Sequence, residues 1–233
     1  MKETTGSLIL YIRASEAFQR LFFSAVSPRL GGNVMAKIKT RTLVVIAMMT
    51  AISIVVYYLD FPIPMLLPPF IKFDFSNVIS LIAGFSLGPI PGVAVCLLKN
   101  VVHLVIKGFG TTMGVGDIFD FVTSAVFTFT AAYIYKKKHN YRGAVTGLIV
   151  GVIAFTVVSL PLNYYVTYPI YAKAFGGMEA IMSAYQQIMP DVNNLFGALC
   201  IFNVPFTLVK GIVCGIITML LYKPLSPIIK GRA

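Results

Sequence analysis

Three groups of polar residues interrupt otherwise apolar stretches of this chain, and each could hold a ligand. The first lies in "NVPFTLVKGIVCGIITMLLY", Asn203 to Tyr222, where Lys210 is the one charge. Upstream the apolar run reaches back to Leu195, so the lysine falls near the middle of a lipid-compatible segment. An ammonium there costs roughly 2.5–3.5 kcal/mol on insertion scales, so it needs a cavity, a partner or a ligand. Asn203, Thr207, Lys210 and Cys214 follow at intervals of 4, 3 and 4, which puts an amide, a hydroxyl and an ammonium on one helical face. With no acidic residue deep in any span, an internal salt bridge is not expected. A carbonyl-rich ligand entering from outside would supply the acceptors. The alternative is a lysine that snorkels or bonds the carbonyls of a broken helix.

The second group is "LPLNYYVTYPIY". Asn163 and Thr167 are one turn apart, and Tyr164, Tyr168 and Tyr171 offer flat amphipathic surfaces. The third is "CLLKNVVHLV", in which Lys99 and His103 share a face beside Asn100, a pattern that also suits interhelical hydrogen bonds. Between the first two spans, "DFPIPMLLPPFIKFDFSN" holds four prolines, too many for regular helix, and too many apolar residues for a solvated loop. It reads as a rigid lid over an outward-facing pocket, with Asp74 or Ser76 capping the next helix. Catalytic and metal chemistry find little support. There is no P-loop, no H-E-x-x-H and no C-x-x-C, and His103 lacks a second ligand for haem or metal. Cys96, Cys200 and Cys214 lie inside apolar segments, where they read as filler.

The elements that must position these residues follow from composition. The 233 residues are 58% hydrophobic and 12% charged, with a mean hydropathy of +0.85, which describes a polytopic membrane protein. Six candidate spans cover residues 42–59, 74–87, 89–107, 115–135, 144–171 and 195–222. Short connections make this an all-α membrane protein, one compact six-helix bundle over residues 35–233. The net charge of +11 is a topology signal rather than a nucleic-acid footprint. Lys37, Lys39, Arg41, Lys136, Lys137, Lys138, Arg142, Lys223, Lys230 and Arg232 all fall on one side of six crossings. This bias sets both termini in the cytoplasm. Residues 1–34 read as a separate extension, either an over-called start ahead of Met35 or an amphipathic segment on the inner leaflet. Ala47-x-x-x-Ala51 in the first span places small residues one turn apart, where another helix can approach closely.

The stretches "FPIP", "PPFIKFDFSNVISLIAGFSLGPIPG", "LLKN", "LNYYVTYPIY" and "VPFTLVKG" together resemble the riboflavin-specific S component of energy-coupling factor (ECF) vitamin transporters. They occur in the family's order from about residue 40 to residue 222. The resemblance implies a substrate-binding subunit of a bacterial cytoplasmic membrane that captures riboflavin from outside. It would work with a transmembrane coupling protein and two ATPases, with riboflavin as cargo and no cofactor. It further implies that Asn163 and Lys210 bind the flavin ring, that Ala47 and Ala51 contact the coupling protein, and that Leu66, Leu67 and Phe70 belong to the gate. One departure is Thr207, where relatives often carry Asn; Asn203, one turn outward, could compensate. With Tyr164 and Asn100 these residues make up the expected site, and Lys210→Ala is expected to harm binding far more than folding. The competing readings are an S component for thiamine, pantothenate or folate, an autonomous transporter, and a membrane enzyme or haem protein.

Overall fold

The computed structural model describes residues 40–63, 67–68, 70–108 and 114–230. The extension read over residues 1–34 lies outside the described residues, as does Leu66. Helix α1 is Thr40–Tyr58, α2 Ser76–Leu87, α3 Pro89–Lys107 and α4 Val115–Lys137. Helix α5 is Tyr141–Leu162; it passes through a π turn at Asn163–Thr167 into α6, Tyr168–Ala174. Helix α7 is Met178–Gln186. Helix α8, Leu195–Ala198, leads through a second π turn, Leu199–Asn203, into α9, Val204–Lys230. Asn140 and Asn194 start α5 and α8, their side chains accepting the backbone N–H of Gly143 and Gly197 at 2.6 Å.

Among the described residues five helical segments are long and apolar enough to cross a membrane, and the boundaries follow the apolar runs closely. The sixth apolar helix, α2, has 12 residues and is therefore only about 18 Å long, short of a bilayer core of about 30 Å. It sits at the centre, with Asn77 and Ser80 buried as fully as Leu81 and Ala83. Val78, Leu81, Ile82 and Phe85 are buried against Phe127, Ala131, Leu148 and Phe155. Glycine permits a close approach of α3 to α2: a Cβ on Gly92 would lie 2.7 Å from the Gly84 Cα and 2.7 Å from the Thr128 methyl. Large apolar residues such as Val55, Ile106, Val157 and Leu220 remain exposed on the outer faces, as a lipid-facing bundle requires.

The proline-rich connector includes no helix among its described residues. Its ends pair as a two-residue antiparallel ribbon, β1 (Phe61–Pro62) with β2 (Lys72–Phe73), in the register Phe61 to Phe73. Lys72 also bridges to Asp60 at 2.9 Å across this ribbon. Because α2 is short, the residue that follows the ribbon, Asp74, enters the bundle instead of staying at its rim, and it is 3% exposed.

Candidate functional site

A cavity of about 370 Å³ lies among these elements. Asp60, Lys72, Lys107, Gly108 and Gly114 bound it at the end of the bundle opposite the Lys136–Arg142 loop. Tyr57 of α1, Phe70 of the connector, and Tyr168 and Tyr171 of α6 give it aromatic walls, while Phe206, Thr207 and Lys210 of α9 form its deep side. Both π turns face it. In each, the N–H after the turn reaches back five residues, from Tyr168 to Asn163 and from Val204 to Leu199. The wider turn brings Asn163, Thr167 and Asn203 to the cavity.

One wall is a closed phenol–amide triangle. Tyr185 donates to the Asn203 carbonyl oxygen at 2.7 Å, the Asn203 amide donates to Tyr168 at 2.9 Å, and the hydroxyls of Tyr168 and Tyr185 bond to one another. Burial pushes the Tyr185 phenol far above the usual tyrosine range, so it stays a donor at neutral pH. Phe70 packs edge-on against Tyr168, Tyr171 and Tyr185, with ring centroids at 6.1, 6.3 and 6.0 Å.

The opposite wall is ionic. Lys210 donates to Asp74 Oδ2 at 2.6 Å. Asp74 Oδ1 accepts the Ser76 N–H at 2.9 Å and the Ser76 hydroxyl at 2.5 Å. Lys99 donates to Ser76 Oγ at 2.8 Å and to Asp120 Oδ2 at 2.6 Å. Asp120 Oδ1 comes back to within 4.0 Å of Lys210, closing a ring whose two ammoniums balance its two carboxylates. The expectation that no internal salt bridge forms is therefore overturned. The short α2 carries Asp74 down to the lysine's level, and the second turn of α4 holds Asp120 beside it. Asp74 does cap α2 in part, by accepting the Ser76 N–H, while its other oxygen holds Lys210. Nearby, His103 Nδ1 lies 2.5 Å from Asp117, and its ring stacks obliquely on Tyr57 and Tyr58.

A family model described as the substrate-specific component of ECF transporters matches residues 41–222. The chain belongs to that family. It is 36% identical to the riboflavin transporter RibU of Staphylococcus aureus (strain TCH60), over 82% of this chain and 94% of that one. It is 32% identical to the riboflavin transporter FmnP of Bacillus subtilis (strain 168), over 81% and 94%. A solved structure of the S component of a bacterial ECF transporter superposes with a TM-score of 0.63 at 35% identity, over 82% of this chain and 98% of that one. The chain is thus a membrane transport component and not an enzyme.

Within this S component the sequence-derived residues separate into three sets. Lys210, Asn163, Thr207, Asn203 and Phe70 line the cavity. Among the described residues the side chains of Asn163 and Thr207, 4% and 6% exposed, have no hydrogen-bond partner, so their polar atoms are available to a ligand. Lys210 keeps donors as well: an ammonium has three, Asp74 takes one, and Asp120 at 4.0 Å is beyond hydrogen-bond reach. A second set supports the walls from behind. Asn100 is buried and donates to Asp120 Oδ2 at 3.0 Å and to the Cys96 carbonyl at 2.9 Å, and Leu67 of the connector is buried. The third set faces outward. Tyr164 is 36% exposed and packs on Tyr165 and Phe196, because the π turn rotates it off the cavity. Ala47 and Ala51 are exposed on α1.

Sequence reading missed Asp74, Asp117 and Asp120 as cavity residues. It also missed both π turns. One signal was present: Pro169 and Pro205 each stand two residues beyond the end of a π turn, where the missing N–H prevents an ordinary ladder from resuming upstream. The expectation that Lys210→Ala would spare the fold also changes. Removing the ammonium leaves the buried Asp74 carboxylate without its ion-pair partner, which costs stability as well as binding.

Proposed function

We propose that this S component captures riboflavin in the cavity between the two π turns and the ion ring. The observation that carries the reading is the convergence of unspent donors on one aromatic-walled cavity. Asn163, Thr207 and the remaining N–H groups of Lys210 face the same space as Tyr57, Tyr168, Tyr171 and Phe206. The flavin ring has carbonyl oxygens and ring nitrogens on one edge and large apolar faces, which match donors and aromatics respectively. The volume falls within the usual range of about 300–1,000 Å³ for small-molecule sites. A cationic vitamin such as thiamine calls for an unspent carboxylate. Here Asp74, Asp117 and Asp120 are each engaged, by Lys210, His103 and Lys99.

In this reading residues 35–233 form a six-helix, multi-pass domain of a bacterial cytoplasmic membrane, with α2 as the short helix and both termini inside. The cavity then opens outward, Leu66, Leu67 and Phe70 belong to its gate, and Asn203 and Tyr168 shape its wall. The exposed Ala47 and Ala51 dock a coupling protein that carries two ATPases. The test is direct: express the chain in a riboflavin-containing host, purify it in detergent and record the visible spectrum. Stoichiometric co-purified flavin, or tight quenching of added riboflavin, is the expected outcome. A colourless protein that fails to quench riboflavin would remove the assignment.

A further inference from the structure

Lys99 is the one charged member of the ion ring that does not line the cavity. It is 0% exposed, and all its donors are spent within the protein: on Asp120 at 2.6 Å, on Ser76 at 2.8 Å, and over the Tyr57 ring at 4.6 Å from its centroid. A fully buried ammonium is costly, so its place in the ring needs a reason beyond packing. The reason lies in how the ring divides charge. Asp120 Oδ1 stands 4.0 Å from Lys210, while Asp120 Oδ2 is bound to Lys99. Asp74 gives one oxygen to Lys210 and the other to Ser76, whose hydroxyl oxygen in turn accepts from Lys99. Take Lys99 away and two carboxylates are left to one ammonium. Lys210 would then be clamped between Asp74 and Asp120, and a neutral ligand would have to compete with two charges for its donors.

We propose that Lys99 is a positioning residue for flavin binding: by holding Asp120, and Asp74 through Ser76, it leaves Lys210 hydrogen-bonded to a single carboxylate, with donors free for the ligand. This rests on the riboflavin reading above. The groups facing the ring from the elements packed around it are Tyr57 of α1, Cys96 and His103 of α3, Asp117 of α4 and Cys214 of α9. None of them brings a second fixed cation to Asp120.

The experiment measures riboflavin affinity of the purified full chain by fluorescence quenching, with a thermal melt of each variant alongside. Lys99→Met is expected to bind roughly tenfold or more weaker, on the scale of one hydrogen bond to a charged group. Lys99→Met/Asp120→Asn restores the charge balance and is expected to return to within about threefold of wild type, a rescue that a purely packing role would not give. Ser76→Ala keeps the Lys99–Asp120 pair but cuts the link to Asp74, and should bind several-fold weaker even if Lys99→Met fails to fold. Lys99→Met at wild-type affinity, a double variant no tighter than the single one, or Ser76→Ala at wild-type affinity would each overturn the inference. The wild-type arm separates the two claims. A wild-type chain that bound no riboflavin would remove the functional reading and this inference with it, whereas normal wild-type binding with insensitive variants would remove the inference alone.

Discussion

Replacing Lys210 by Met tests the site and the fold together, and the two effects can be separated. Lys210 and Asp74 are 7% and 3% exposed and 2.6 Å apart, so the substitution removes one half of a buried pair. Breaking such a pair from one side costs about 3–5 kcal/mol, because a carboxylate is left buried without compensation. At about 2–4 °C per kcal/mol for a chain of this size, the melting temperature should fall by roughly 6–20 °C. Riboflavin affinity should fall by roughly 10- to 150-fold, the equivalent of one charge-assisted hydrogen bond of about 1.5–3 kcal/mol. The companion variant Lys210→Met/Asp74→Asn has no orphaned charge, and Ser76 can still donate to the new side chain's amide oxygen. It should regain most of the melting temperature while remaining a poor binder. Thermal melts and fluorescence quenching in the same detergent supply both numbers. A double variant that melts no higher than Lys210→Met would refute the ion-pair account of the stability loss. Unchanged affinity in Lys210→Met would refute the assignment of its ammonium to the ligand.

Asn163→Ala should weaken riboflavin binding about tenfold while moving the melt by no more than roughly 2 °C, since its amide has no partner among the described residues. Tyr185→Phe should destabilise the chain by about 1–3 kcal/mol, because it leaves the buried Asn203 oxygen without its donor at 2.7 Å; an unchanged melt would count against the triangle. Gly147→Ala would set a methyl 2.6 Å from the Ala131 carbonyl oxygen, forcing α4 and α5 apart at a cost of about 1–3 kcal/mol that the same melt would register. Ala51→Phe should leave detergent binding of riboflavin unchanged yet abolish uptake in liposomes holding the coupling protein and ATPases; normal uptake would remove α1 as the docking face.

The helices and the lysine were legible in the sequence for the same reason: in lipid, length and polarity are constrained residue by residue. The third span, read as 89–107, is α3 with the same bounds, because Gly88 and Gly108 flank a mostly apolar run that only Lys99, Asn100 and His103 interrupt before the terminal Lys107. The face shared by Asn203, Thr207, Lys210 and Cys214 is likewise real, as all four are buried and three line the cavity. Depth was the quantity the sequence hid. Asp74 reads as a rim residue because it precedes a helix, and only the shortness of α2 brings it to Lys210. Tyr164 stands off the cavity for a related reason. An ideal helical wheel keeps Asn163 and Thr167 together but is blind to one extra residue in the turn, which swings Tyr164 outward.

The two π turns also have a consequence for how such proteins diversify. A helix carrying one surplus residue in a single turn can lose it and remain a helix, while every residue on one side of the deletion rotates by about 100° relative to the other. At Asn163–Thr167 or Leu199–Asn203 that rotation would swing some of the side chains now shown to the cavity to the flank of the helix and bring their neighbours in. Gain or loss of one codon inside a span, with every loop left intact, is therefore a short evolutionary route from one cargo to another on the same scaffold.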